Sequence, residues 1–143
     1  MSADSPVSAA ALYTPEVLGL ATSLADFSFG GDWQHRGAAR APTCGSVIEL
    51  GLDLDGNAAI SRVGVKASAC AIGQAAAALF AQHATEQTRA ELNTGLQQIE
   101  AWLAGGALPN WPGLDQIAAA RAFPARHGAV LLAWRAALVA LPG

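Results

Sequence analysis

The chain has 143 residues, 52% hydrophobic and only 13% charged, with 15 Gly, 7 Pro and 2 Cys. That is enough for one domain with its own core, and too apolar for intrinsic disorder. Alanine supplies much of the mean hydropathy of +0.31, and no run approaches the roughly 18 consecutive apolar residues of a membrane-spanning helix. A net charge of -3 does not suggest a nucleic-acid surface, and two cysteines are too few for a disulfide framework.

The stretch Met1-Ser-Ala-Asp-Ser-Pro has no Lys or Arg ahead of its apolar residues, unlike a secretory signal. Residues 1–11 are expected to be a flexible tail to a single domain spanning 1–143, in a cytoplasmic, reducing compartment where a Cys44–Cys70 disulfide would not persist. At Thr14-Pro-Glu the chain begins like a helix: Thr14 caps, Pro15 suits the first turn and Glu16 complements the dipole. Val17, Leu20, Ala21 and Leu24 then share a face. From Ser28 to Thr43 the sequence turns glycine-rich and polar, which predicts an irregular or short-strand connection.

Ile48, Leu50, Leu52 and Leu54 alternate with Val47, Glu49, Gly51 and Asp53, the period of a strand with one buried face. Asp55-Gly56-Asn57 predicts a hairpin turn through residues that tolerate positive φ. A second strand follows over about Ala59 to Ala67. Helices are predicted from Ala71 to His83, from Glu86 to Leu103, briefly near Leu114 to Ala120, and from Pro124 to Leu141. The fold class is α+β, a small antiparallel sheet of two or three strands with about five helices packed on one face.

Cys44 precedes the first strong strand and Cys70 follows the second. A hairpin places the start of one strand beside the end of the other, so the two thiols should meet at one end of the sheet. The helix start after Cys70 favours a thiolate, with Lys66, Arg36 and Arg40 as candidate cations. The alternative is that both cysteines are simply small buried side chains. No phosphate-binding glycine loop, Gly-x-Ser-x-Gly elbow or His-Glu-x-x-His motif occurs, and Ser46 has no paired base, so hydrolase chemistry is not supported. Trp102 and Trp134 fall at helical positions that predict core anchors. Trp111 is placed in a loop, with packing favoured over a partner surface.

Ala41-Pro-Thr-Cys-Gly-Ser-Val-Ile-Glu-Leu, followed by Ile60-Ser-Arg-Val-Gly-Val-Lys-Ala-Ser-Ala-Cys-Ala-Ile-Gly, resembles the iron–sulfur cluster assembly scaffolds of the IscU/SufU/NifU N-terminal type. Leu12-Tyr-Thr-Pro-Glu-Val-Leu, Phe123-Pro-Ala-Arg and Leu132-Ala-Trp-Arg-Ala extend the resemblance along nearly the whole chain, at SufU-like spacing. It implies a domain that assembles a cluster or passes sulfur on three cysteines and an aspartate at one exposed end. By position the first two cysteines are Cys44 and Cys70. Ser46 stands where the aspartate is expected and Ala129 where the third cysteine is expected, and the asparagine-proline-arginine segment after the first helix is absent.

Clusters and zinc both call for about four good ligands. His127 is a candidate third ligand, although two residues on a helix rotate a side chain by roughly 200° relative to position 129. Asp32 and His35 are weaker candidates, and His83 falls too far along its helix. The resemblance implies a non-enzymatic scaffold binding iron, zinc or a nascent cluster through Cys44 and Cys70 and delivering it to acceptor proteins. Its partners would be a cysteine desulfurase and those acceptors, without nucleic acid or membrane. Two alternatives stay open: a sulfur-relay protein carrying persulfide on Cys70 or Cys44, and a paralogue acting by protein binding alone.

Overall fold

The computed structural model describes residues 12–143; the expected N-terminal tail, residues 1–11, lies outside them. Helix α1 (Pro15–Ser23) begins as its sequence dictates. The Thr14 hydroxyl accepts a hydrogen bond from the Val17 amide at 3.1 Å, Pro15 occupies the first turn, and Val17 and Leu20 are buried. The chain then forms a three-stranded antiparallel sheet in the order β1 (His35–Arg40), β2 (Val47–Leu54), β3 (Ile60–Ser68). The glycine-rich connection therefore contains a full strand. β1 lacks the apolar alternation of a half-buried strand, but its whole length pairs with β2, from His35 opposite Leu52 to Arg40 opposite Val47.

Ile48, Leu50 and Leu52 are fully buried opposite Ala67, Val65 and Val63, as their period-two spacing predicts. The hairpin turn differs from expectation in one detail. The left-handed residue is Ala58, at φ 62°, because the Asp55 carboxylate accepts from both the Asn57 and Ala59 amides and fixes the turn around it. The outer edge of β3 is not left open. Val65 N–H donates to the Phe27 carbonyl, while Ile60 exchanges hydrogen bonds with Glu86 and Gln87.

Helices α2 (Ala71–His83), α3 (Arg89–Leu103) and α4 (Pro124–Ala140) follow, with a kinked 3₁₀ segment at Leu114–Ala122. Helix α3 starts three residues later than its apolar spacing predicts. Thr88 and Glu91 form a reciprocal capping box, and Glu86 is held at φ 73°, outside any helix. Helix α4 lies across β1 and β2, and α2 packs between α1 and α4. The buried run Ala75–Ala78 gives the alanine content a purpose: short side chains let α1 and α4 approach α2 closely. Phe80, Trp111 and Trp134 close the core, with Phe80 stacked on Trp111 at 5.8 Å and Trp134 edge-on to both. Trp111 is thus a packing residue, its indole N–H donating to the Leu79 carbonyl at 2.9 Å. No helix among the described residues is long and apolar enough to cross a membrane.

At the centre of the opposite sheet face the cover comes from the segment before β1. The Trp33 indole lies flat there on Gly51 and Gly64, which are paired across β2 and β3; a Cβ at either glycine would overlap the ring. Arg62 stacks over Trp33 at 3.9 Å and pairs with Asp53 at 2.7 Å. The Gln34 amide and the Arg62 guanidinium hold the Asp53 carboxyl below its ordinary range.

Candidate thiol site

The sheet register builds the site. Arg40, Val47 and Ser68 align at one end of the three strands, so the β1–β2 loop and the chain leaving β3 emerge side by side. The loop is tight: Ala41 N–H donates to the Ser46 carbonyl and Gly45 N–H to the Ala41 carbonyl. Gly45 sits at φ 72°, a conformation that favours glycine, and this reversal carries Cys44 out of the strand. Cys70 is the N-cap residue of α2 and makes no side-chain capping bond. Cys44, Gly45, Ser46, Ser68, Ala69 and Cys70 together line a shallow depression of about 300 Å³. Both cysteines are half-buried free thiols. Topology brings the pair to one place, as the sequence predicts.

Ser46 is a buried polar residue, 4% exposed, with its hydroxyl 3.2 Å from the Cys44 sulfur. The thiol donates to the hydroxyl when protonated. Once ionised, the sulfur accepts from the hydroxyl instead. This hydroxyl contact is the largest influence on Cys44 and lowers its pKa against the opposing effect of burial; the Ser46 amide and the positive charge of Arg126 add to it. Arg126 lies in the first turn of α4, and sequence proximity to the cysteines did not single it out. Its place in Phe123-Pro-Ala-Arg was the available signal. Arg36, one of the cations expected near Cys70, instead donates to the Gly31 carbonyl and lies over Phe29.

The candidate additional ligands are not gathered with the thiols. No group of three or more His, Cys, Asp or Glu positioned to hold a metal occurs among the described residues. His127 lies on α4, but its Nε2 is 3.0 Å from the Arg121 carbonyl, so the ring is tied to the 3₁₀ segment. Asp32 precedes His35, which pairs with Leu52 at the other end of β1, roughly 17 Å along the strand from Arg40. The Asp32 carbonyl accepts from Arg62 there. His83 ends α2, roughly 20 Å from Cys70 along the helix axis. Ala129, at the position of the third cysteine, is 1% exposed against Gly73 in the first turn of α2. A buried methyl stands at that position, which does not line the depression.

No family model matches the chain, and no curated protein matches its sequence. Solved structures do. The N-terminal part of a nitrogen-fixing NifU-like protein from Brucella abortus superposes with a TM-score of 0.80 at 21% identity, over 89% of this chain and 90% of that one. A candidate iron–sulfur cluster assembly scaffold protein for the SUF system from the thermophile Fervidobacterium islandicum AW-1 gives 0.82 at 20% identity, over 94% and 100%. The three-stranded antiparallel sheet, its helices and their order are common to these chains, and the fold of this protein is that of the NifU-like N-terminal and SufU proteins.

Proposed function

We propose that this chain is a carrier in iron–sulfur cluster assembly, not an enzyme. In this reading Cys44 and Cys70 hold iron, zinc or a nascent cluster in the cytoplasm, supplied with sulfur by a cysteine desulfurase and passed to acceptor proteins. The observation that carries it is the shared depression at the end of the sheet, where two thiols from separate loops converge on the fold of scaffold-type neighbours. Thiolate is the ligand type that iron–sulfur clusters and zinc both favour.

A second reading rests on Cys44 alone. Its lowered pKa and partial exposure suit a thiolate that attacks the outer sulfur of a desulfurase persulfide. A new S–S bond forms on Cys44 as the donor's S–S bond breaks and its thiolate leaves. Both readings are tested on anaerobically purified protein, by metal analysis after loading with iron or zinc and by mass spectrometry after incubation with a desulfurase and cysteine. The first reading expects metal on the wild type that is lost in either Cys44→Ser or Cys70→Ser; the second expects one added sulfur that is lost in Cys44→Ser and kept in Cys70→Ser. A chain that takes up neither leaves only the protein-binding paralogue.

A further inference from the structure

We infer that the free edge of β1 docks an extended segment of a partner protein, which joins the sheet as one more strand. That segment carries acidic side chains on its solvent face and aliphatic ones on the face toward α4. The inference uses neither cysteine and is independent of the function proposed above.

The hydrogen-bond register decides which groups are open. Just past the end of β1 the Ala41 N–H donates to the Ser46 carbonyl, so Ala41 is a bonded position against the β2 side. Bonded and non-bonded pairs alternate along an antiparallel ladder. Arg40 opposite Val47, Ala38 opposite Glu49 and Arg36 opposite Gly51 are therefore the non-bonded pairs. Their backbone N–H and C=O groups point away from β2, where the sheet has no further strand, and they find no other backbone partner among the described residues. The opposite edge is treated differently. Leu50 directs its backbone groups to Gly37, which leaves Val65 facing outward from β3, and the Phe27 carbonyl takes the Val65 N–H.

Side chains set the chemistry of the occupant. Arg36, Ala38 and Arg40 share the exposed face of β1, and neither guanidinium meets a carboxylate among the described residues. Glu49 lies opposite Ala38, but Lys66 stands across from it on β3, so cations dominate the strip. On the inner face, a Cβ at Gly37 would meet the Ala136 carbonyl and the Ala140 amide of α4. Val139 lies about 60° round the helix from Ala136, away from the buried Ala133 and Ala137. It is 67% exposed and gives an aliphatic shelf beside the free edge. An added strand alternates its side chains between the two faces, so one set meets the arginines and the other meets Val139. A second copy suits the edge poorly. Antiparallel pairing centred on Ala38 sets each Arg36 opposite the other chain's Arg40, and like charges directly opposite are destabilising.

The test uses the full chain, reduced and metal-free, with two end-blocked synthetic peptides as probes, one built on Glu-Val-Ser-Val-Glu and the other on Lys-Val-Ser-Val-Lys. Binding is followed by titration of assigned backbone amide resonances, and strand addition by hydrogen exchange at the same amides. In the free chain the Arg36, Ala38 and Arg40 amides should exchange rapidly while those of Gly37 and Ala39 are protected. The glutamate peptide should slow exchange at the three outward amides and bind about tenfold more tightly than the lysine peptide, as expected when opposite-charge cross-strand pairs replace like-charge ones. Arg40→Glu should bring the two peptides close to equal affinity. Protection of all three amides in the free chain means that residues 1–11 or a second copy already cover the edge, and overturns the inference. A glutamate peptide that fails to bind, binds no better than the lysine one, or binds without slowing exchange at these amides also overturns it, as does an unchanged preference in Arg40→Glu. None of these outcomes bears on metal or persulfide uptake by the thiols.

Discussion

Cys44 and Ser46 are separated by one glycine, and the left-handed turn at Gly45 lets the hydroxyl fold back onto the sulfur. The contact was open to suspicion from the i, i+2 spacing, but serine at a strand start ordinarily bonds to backbone, so spacing alone did not decide it. Both cysteines were legible because a hairpin fixes which chain ends meet. Arg126 was not, because it reaches the site from α4, more than eighty positions away in sequence. Replacement of Ser46 by alanine removes the donor to the thiolate while leaving the loop's backbone hydrogen bonds in place. The thiol pKa of Cys44 should rise, so alkylation of a Cys70→Ser background by iodoacetamide should gain rate at higher pH in Ser46→Ala than with Ser46 present. Arg126→Gln should move the profile the same way by a smaller amount, since its charge contributes less than the hydroxyl. Coincident profiles for the Ser46 pair would remove the serine from any role in activating Cys44.

Among the elements, β2 and β3 announce themselves through periodicity and α2 through its alanine-rich run, whereas β1 is defined by its partner. His35-Arg-Gly-Ala-Ala-Arg carries little strand propensity. What makes it a strand is the β2 edge on one side and α4 on its face, where Gly37 lets the helix backbone approach so closely that a Cβ would overlap the Ala136 carbonyl. Trp33 was illegible for a similar reason: the two glycines beneath it lie 18 and 31 positions downstream, and no local pattern links them. The Trp33 contact predicts a coupled pair. Gly51→Ala inserts a methyl under the indole and should cost about 1–3 kcal/mol in urea unfolding. In a Trp33→Ala background the same substitution should cost much less, because the overlapping ring is gone. Equal costs in the two backgrounds would show that the strain lies in the strand and not in the clasp.

At the scale of the whole molecule, packing and chemistry occupy different parts. The helices, the buried sheet face and the Phe80–Trp111–Trp134 cluster hold the fold together, while the thiol depression sits at one end of the sheet on short side chains. The α+β class was readable because burial imposes periodicity on most of its elements. The completeness of the site was not, because ligands converge from separate segments and only coordinates show which ones arrive. Phe80→Ala should destabilise the protein by about 3–5 kcal/mol, whereas Cys44→Ser and Cys70→Ser should each stay within about 1 kcal/mol of wild type. Thermal unfolding followed by circular dichroism measures all three, and a cysteine variant as unstable as Phe80→Ala would show that the thiols are part of the packing. The depression sits on backbone turns and carries little of the core, so a sharp cooperative melt certifies the sheet and helices of a preparation and is blind to its thiols. A batch whose two sulfurs have been capped or oxidised would pass every conformational check while being chemically mute, and thiol titration belongs beside the melting curve whenever this protein is assayed.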